Sequence, residues 1–418
     1  MISILMLVII NVLWRAGVDR LSPGSLFFLF WFVQVTIYEI LYFDVSKLLG
    51  SLYICIAVAV FVLSSAIFKK TLAYESSLIV KTHTVVIFSF LSNAVFLSFL
   101  YDQGVAPQKV LHDFYDVASG LIEKRYSRSF NRSYLTYAMY PIIYSSHVML
   151  GNWLSNNRKG ILTFCLVVLT FVPSVSLVVV ASTKGAFLLA LVLTVGGYVY
   201  ASVGSQRISF LKFMSFKNLT LLILILFGIG FSFYLRGLKD SSLDYIIWKI
   251  GSYFASYSTG HSVAFNDWFA YYLGLSSQYS YTSADVYFLP VYTFYTFSSF
   301  IDNTTSQIVP VELYTDYVVF FDFIKTNIYT IFRGMIIDFG ILGSVVFMFI
   351  LGMVFNGFWS LYKRGFCKYL SYSMLMTFWF FMYQSFIASP FNYLSFVGFF
   401  VVLYVGLLMN RLSFRKNV

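Results

Sequence analysis

Long apolar runs recur along the chain and constrain its fold more than any other feature of the sequence. Each run has roughly 18–25 residues, which is the length that an α-helix needs to cross about 30 Å of hydrocarbon. The strands of an outer-membrane barrel alternate apolar and polar residues over about 10 positions, and these runs do not alternate. We therefore expect an all-α, polytopic integral membrane helix bundle.

The composition supports a membrane protein. Only 11% of the 418 residues are charged and 59% are apolar, whereas a soluble globular chain carries about 25% charged residues. The net charge of +11 fits basic side chains packed against lipid headgroups, so we expect membrane lipids and no nucleic acid as partners. The three cysteines, Cys55, Cys165 and Cys367, suggest neither a disulfide framework nor a thiolate metal site.

The hydropathy pattern predicts about eleven membrane spans, of which the first is short. The predicted spans are 1–14, 24–43, 51–68, 84–101, 134–150, 161–181, 185–203, 219–235, 334–358, 369–388 and 392–410. Two long segments connect them, 102–133 and 236–333. The second segment is rich in aromatic residues, and its part 245–273 resembles interfacial helices. The chain thus divides into an N-terminal bundle (1–235), a large structured external loop (236–333) and a C-terminal bundle (334–418).

Basic residues in the short loops orient the bundle, because cytoplasmic loops carry an excess of Lys and Arg. One alternating set of loops carries Arg15, Arg20, Lys69, Lys70, Lys81, Arg158, Lys159, Arg207, Lys212, Lys217, Lys363, Arg364, Lys368, Arg411, Arg415 and Lys416. We assign these loops to the cytoplasm. The amino terminus and both long segments are then outside, and the carboxyl terminus is inside.

Several common catalytic motifs are missing from the sequence. It has no Gly-x-x-x-x-Gly-Lys-Ser/Thr loop for ATP and no Asp-x-Asp pair for a metal-bound nucleotide sugar. The four histidines, His83, His112, His147 and His261, lack the spacing of metal ligands. We therefore expect no metal and no nucleotide cofactor.

A stretch with one arginine and one aspartate stands where the large loop enters the next span, and it reads Asn-x-Tyr-Thr-x-x-Arg followed by Asp-Phe-Gly-x-x-Gly. Its residues are Asn327, Tyr329, Thr330, Arg333, Asp338, Phe339, Gly340 and Gly343. This stretch resembles the O-antigen polymerases, the Wzy-type enzymes of bacterial lipopolysaccharide assembly. Weaker likenesses lie at 182–185, where the basic residue is Lys184 instead of an arginine, and at 251–267.

The resemblance implies a glycosyltransferase that polymerises undecaprenyl-pyrophosphate-linked oligosaccharide repeat units into O-antigen polysaccharide. The growing glycan would move from its lipid pyrophosphate to a terminal sugar hydroxyl of the next unit, on the periplasmic face of the bacterial inner membrane. The resemblance also implies a fold like the multi-helix lipid-dependent glycosyltransferases, no obligatory metal, and work beside a chain-length regulator and a flippase.

Basic side chains on the outer side are the candidates for binding the departing diphosphate, because guanidinium groups bind phosphate bidentately and stay charged. The candidates are Arg236, Arg333, Lys184 and Lys239. Arg236 and Arg333 stand at the two ends of the large loop, an arrangement that could bring them to one cavity mouth. The alternative is that Arg333 snorkels to the membrane surface and that Asp338 packs between helices beside small glycines.

A second basic group lies in the other external segment, where Lys124 precedes Arg125, Arg128 and Arg132. The three arginines share one face if the segment is helical. They either guide the anionic substrate or form a solvated face that contacts lipid headgroups. A misplaced span, which would move this loop to the cytoplasm, also explains them.

The acceptor hydroxyl needs a base. His261 is the first candidate, because the ordinary pKa of histidine is near 6.5, and Asp338 is the second catalytic candidate. Asp267 and Glu312 are rivals, and a structural role is the alternative for a single histidine in a loop. Asp267, Asn327 and Tyr329 are further candidates for binding the substrate.

Two other functions fit the same topology in part, and a purely structural membrane subunit is a further alternative. A flippase or transporter of lipid-linked oligosaccharide should line its spans with charge and have short external loops, and this chain does the opposite. A ligase-like transferase that attaches O-antigen to lipid A shares the long external loop, so topology does not separate it from a polymerase.

Overall fold

The computed structural model describes the chain except for residues 43–47, 69–77, 127–132, 157–159, 182–183, 203–240, 276–280, 282–289, 302–315, 321–323 and 413–418. The side chain at position 125 also lies outside the description. The described helices are α1 (Ile2–Arg15), α2 (Pro23–Leu41), α3 (Leu49–Leu63, continued by a 3-10 turn Ser64–Ile67), α4 (Thr82–Asp102), α5 (Pro107–His112), α6 (Phe114–Tyr126), α7 (Tyr134–Asn156), α8 (Ile161–Ala181), α9 (Lys184–Ser202), α10 (Leu243–Tyr272), α11 (Val291–Ile301), α12 (Ile331–Lys363), α13 (Lys368–Gln384) and α14 (Leu394–Leu412). A 3-10 turn, Pro390–Asn392, precedes α14, and the strands β1 (Val318–Phe320) and β2 (Ile324–Thr326) form an antiparallel hairpin.

The prediction of an all-α membrane helix bundle is confirmed. Seven of the described helices are long and apolar enough to cross a membrane, and they are α2, α3 with its 3-10 turn, α4, α8, α9, α12 and α14. Each predicted span coincides with a helix, except 219–235, which lies outside the described residues. The count of about eleven spans and the three-part division of the chain stay predictions.

The helices form two compact units, each assembled from separate parts of the chain. The first unit comprises Met1–Leu72, Ser252–Cys367 and Phe380–Leu394. The second comprises Ala73–Gly251, Lys368–Trp379 and Ser395–Val418. Both α10 and α13 therefore contribute residues to both units.

Small residues and one amide hold the first unit together. A Cβ on Gly352 of α12 would lie 2.5 Å from the carbonyl oxygen of Phe61 in α3, so only glycine permits this approach. Asn356 accepts from the Gly24 N–H (3.0 Å) and donates to Ser64 Oγ (3.0 Å), which joins α12 to α2 and to the end of α3. Such contacts matter in lipid, where apolar helices gain little from merely meeting each other.

The second unit uses the same principle around α7. A Cβ on Gly197 would lie 2.5 Å from the Val148 carbonyl oxygen, so α7 and α9 pack backbone against backbone. His147 of α7 bridges its neighbours, with Nε2 2.8 Å from Ser174 Oγ in α8 and Nδ1 3.2 Å from Thr194 Oγ1 in α9. These polar contacts lie inside an apolar bundle, where each group needs a partner.

The aromatic part of the large loop is one long helix, α10, and every residue from Thr259 to Ala270 is buried. This half of the helix is enclosed by protein on all sides, unlike a helix that lies on a lipid surface with one polar face. The interfacial position predicted for 245–273 therefore does not describe this half, because tertiary packing takes up its aromatic and polar side chains alike. Its N-terminal part is more exposed, and its membrane position stays a prediction.

Candidate functional site

The candidate site lies where the β-hairpin leads into α12. Val318 pairs with Thr326 and Val319 with Lys325, and this register, continued two residues outward, brings Asp316 beside the segment that precedes α12. The start of α12 is fixed by a hydrogen bond from the Ile331 N–H to the Ser385 carbonyl (2.8 Å). The fold thereby brings two stretches of the large loop to the first turn of one long helix.

Arg333 lies in that first turn, is only 3% exposed and is surrounded by aromatic rings. Its guanidinium carbon is 4.0 Å from the ring centre of Tyr329, 5.3 Å from that of Trp268 and 5.5 Å from that of Tyr281. Its Nη2 atom donates to Asp316 Oδ2 at 2.8 Å. We call these five residues the Arg333 cage. Cation–π contacts and a charge-assisted hydrogen bond hold the guanidinium in one orientation.

The two phenols of the cage act as hydrogen-bond donors. Tyr281 donates to Asp267 Oδ2 (2.8 Å), and Tyr329 donates to the backbone carbonyl of Asp316 (3.2 Å). Burial raises the pKa of Tyr329 to about 12. Burial, and then the negative charge of Asp267, raise the pKa of Tyr281. Both hydroxyls therefore stay protonated at physiological pH, and neither can serve as a base there.

Asp338 has a different environment from Arg333, although both belong to α12. A separation of five residues places them about 140° apart around an ideal helix axis. The Asp338 carboxylate accepts the backbone N–H groups of Thr293 (2.6 Å) and Tyr292 (3.3 Å). Both lie in the first turn of α11, where N–H groups have no partner within the helix, just before Phe294 departs from helical backbone angles. Asn392 holds the same turn, because it donates to the Tyr292 carbonyl and accepts the Tyr295 N–H (2.9 Å each).

The residues that follow Asp338 shape this contact. Gly340 has φ +69° and ψ 175°, a backbone conformation that is essentially restricted to glycine, and it interrupts α12. The ring of Phe339 packs at 6.4 Å from Phe294 of α11 and at 5.4 Å from Phe347 of α12. The Asp-Phe-Gly part of the motif thus fixes α11 against α12.

His261 is buried in an aromatic environment of the first unit. Its ring lies 6.2 Å from Trp31 and 5.1 Å from Phe386. Neither ring nitrogen has a hydrogen-bond partner among the described residues. Burial lowers the pKa of His261 to about 3, so the ring is neutral and weakly basic. Its role as the base stays a prediction, and this environment disfavours it.

The remaining predicted site residues fall in several places. Asn327 is half-buried between β2 and α12, beside the cage. Lys184 is buried at the start of α9, in the second unit. Lys124 of α6 donates to the Gln103 carbonyl at 2.8 Å. The positions outside the described residues are Arg236, Lys239, Glu312, Arg128 and Arg132, and of Arg125 only the backbone is described.

The structure adds Asp316, Trp268 and Tyr281 to the site that the sequence predicted around Arg333, Tyr329 and Asp267. Trp268 directly follows Asp267 in the sequence, so the prediction of Asp267 as a site residue also pointed to this position. The run of β-branched and aromatic residues around β1 could have predicted the strand that Asp316 precedes. No local pattern marks Tyr281.

A cavity with several polar side chains in its lining lies at the other end of α12 from Arg333. Its volume is about 340 Å³, and its lining includes Asp19, Trp359 and Lys363. Lys363 Nζ donates to Asp19 Oδ2 at 2.9 Å. Burial opposes the ionisation of Asp19, but the hydrogen bonds from Lys363 and from the Leu21 N–H outweigh it and lower the pKa of Asp19. The basic-loop pattern predicts that this end is cytoplasmic and that the Arg333 cage lies on the opposite side, and this orientation stays a prediction.

Within the described part of the chain, no three His, Cys, Asp or Glu side chains form a group that could hold a metal ion. No protein-family model, no curated protein and no solved structure matches the chain.

Proposed function

We propose that this multi-pass membrane protein polymerises undecaprenyl-pyrophosphate-linked repeat units into O-antigen polysaccharide at the periplasmic face of the inner membrane. In the proposed reaction, a terminal sugar hydroxyl of one unit attacks the anomeric carbon of another. The bond between that carbon and the lipid diphosphate breaks, and the hydroxyl proton passes to a base. A chain-length regulator and a flippase would work beside the protein.

The Arg333 cage is the observation that supports this proposal. A departing diphosphate gains negative charge as its bond to the sugar breaks, and a preorganised cation stabilises that charge best. Three aromatic rings and a carboxylate already fix the guanidinium of Arg333. It also stands in the first turn of α12, where the helix dipole favours anions.

The proposal assigns different roles to Arg333 and Asp338, the two charged residues of the motif. Arg333 binds the diphosphate, joined in the proposal by Arg236 and Lys239 and without a metal ion. Asp338 positions α11, because its carboxylate is engaged by the first turn of that helix. Among the candidates for the base, Asp267 is joined to the cage through Tyr281, which favours it over the enclosed ring of His261.

Two alternatives share parts of this chemistry. A ligase-like transferase would use the same lipid diphosphate donor and could use the same cage, so the acceptor alone distinguishes it. A flippase would need charge along its path through the membrane. Of the acidic groups in α2 and α12, Glu39 accepts the N–H groups of Ile2 and Ser3 at the start of α1, and Asp338 accepts those of α11. Both are engaged in fixing helices.

The test is the polysaccharide profile of a deletion strain complemented with variants. A polymerase predicts that the deletion collapses the ladder of chain lengths to lipid A capped with one repeat. Arg333→Ala should behave like the deletion while the protein still inserts. Arg364→Ala, a matched loss of an exposed arginine at the other end of α12, should restore the ladder.

Each alternative gives another profile. Loss of every capped form would favour the ligase or the flippase, and a normal ladder in the deletion strain would refute the polymerase. A normal ladder with Arg333→Ala would show that the cage does not bind the donor.

A further inference from the structure

The ion pair inside the Arg333 cage is the starting point for a further inference. The side chains of Arg333 and Asp316 are 4% and 12% exposed, and their charged atoms are 2.8 Å apart. A guanidinium that is removed from water needs an anion beside it, because a buried charge without a counter-ion costs several kcal/mol. Asp316 supplies that anion in the absence of substrate.

The position of Asp316 is also where an incoming phosphate would bind. The rings of Tyr329, Trp268 and Tyr281 surround the guanidinium carbon, and aromatic faces attract cations and repel anions. Carboxylate and phosphate oxygens use the same N–H donors of arginine. A diphosphate that binds the Nη2 atom of Arg333 therefore competes with the Asp316 carboxylate for that donor.

Asp316 is suited to such an exchange by its place in the chain. It precedes β1 and belongs to no described helix or strand, and its neighbour Tyr317 is 60% exposed. Arg333, in contrast, is fixed in α12. Displacement of the acid is therefore a small local movement, whereas displacement of the arginine would disturb a helix.

A second carboxylate, Asp267, adjoins the cage as the acceptor of the Tyr281 hydroxyl. With a diphosphate bound at Arg333, the displaced Asp316 carboxylate would face the new negative charge at close range, where like charges repel strongly. This repulsion grows when the glycan leaves, because cleavage converts a diphosphate diester into a diphosphate monoester that carries additional negative charge. The product would otherwise bind the arginine more tightly than the donor does.

We propose that Asp316 is an internal competitor for the diphosphate: it neutralises Arg333 in the empty site, gives way to the lipid-linked donor and helps to expel the polyprenyl diphosphate product. This inference rests on the proposed function and adds to it a residue that controls donor affinity and product release.

The test measures binding of undecaprenyl diphosphate to the purified full-length protein in detergent. The variants are Asp316→Asn, Asp316→Ser, Arg333→Ala and, as a matched loss of an exposed acid in α10, Asp244→Asn. Removal of the competitor should lower the Kd about tenfold, which is the range of one charge-assisted hydrogen bond. Turnover should then fall along with KM, because product release slows. Asp244→Asn should match the wild type.

Thermal stability separates a competitor from a merely structural ion pair. Asp316→Asn should unfold at a lower temperature when empty, and saturating undecaprenyl diphosphate should raise its melting temperature more than that of the wild type. A structural pair would give the same loss of stability without tighter binding. Inorganic diphosphate at equal concentration tests whether the lipid chain is needed for binding.

The outcomes distinguish the two proposals. No binding to the wild type, or binding that Arg333→Ala leaves unchanged, would overturn both the cage as the donor site and the role of Asp316. Binding that depends on Arg333 but is unchanged or weaker in both folded Asp316 variants would overturn the competitor alone. A larger thermal shift together with a lower Kd is the expected result.

Discussion

His261 should make the fold sensitive to mild acid, and the size of the effect follows from its burial. Burial lowers the pKa of His261 to about 3 in the folded chain, whereas an unfolded chain has the ordinary value near 6.5. The unfolded state therefore binds the proton first as the pH falls. The contribution of the neutral His261 ring to the folding free energy is fully present above about pH 6.5 and is lost progressively from there towards pH 3. At pH 5 the loss from this one group is about 2 kcal/mol.

The assay follows thermal unfolding with a thiol-reactive dye in detergent at pH 7.5 and pH 5. Cys55 is buried and reports unfolding, while the exposed Cys165 and Cys367 are replaced by serine in every variant. His261→Leu keeps an apolar side chain in the aromatic environment and cannot be protonated. His112→Leu is the matched control, because His112 is exposed in α5.

Acid should destabilise the parent chain more than the His261→Leu variant, by about 2 kcal/mol or a few °C in melting temperature. The His112 control should respond like the parent. An equal response of all three chains would refute the argument, because it would mean that His261 is accessible to protons in the folded state. The same variant tests the base: chain extension should persist in His261→Leu, and its loss in a stable protein would restore the catalytic role.

The other predictions concern the motif around α12. Gly340→Ala should destabilise the fold by about 1–3 kcal/mol through backbone strain. A steric clash does not contribute, because a Cβ there meets no atom within 4 Å. Gly251→Ala, in an equally open place in α10, should be neutral or slightly stabilising, and equal melting temperatures for the two would contradict this account. Asp338→Ala should cost about 0.5–2 kcal/mol through loss of the α11 cap. Asp338→Asn, which keeps an accepting oxygen, should largely preserve chain extension, whereas loss of extension in a stable Asn variant would mark Asp338 as the base. A chelator should leave the purified activity intact, and loss that magnesium restores would argue against diphosphate binding by basic side chains alone.

The helices were predictable from the sequence because a membrane span depends on local length and local apolarity. The positions at which the helices begin and end were less predictable, and α12 illustrates the reason. The predicted span starts at residue 334, beyond Arg333, because a cation ordinarily marks the membrane surface. The helix instead begins at Ile331 and extends to Lys363, since the cage buries the arginine that the sequence places at the boundary.

The site was predictable only in part, because its members meet through tertiary structure. Arg333 and Tyr329 belong to one short motif. Asp316 reaches Arg333 from 17 residues away through the hairpin register, and Tyr281 has no motif at all. The environment of His261 depends on Trp31 of α2, and nothing in the residues around position 261 indicates that contact.

The motif itself gains a physical explanation from the break at Gly340. Before the break, the first turn of α12 carries Arg333 into the cage. Asp338, two residues before Gly340, accepts a hydrogen bond from the first turn of α11. Because both contacts begin on one short helical segment, a shift of α11 changes the segment that carries the arginine. In the proposed function, the carboxylate and the guanidinium therefore serve the same diphosphate, one by positioning the structure around it and the other by binding it.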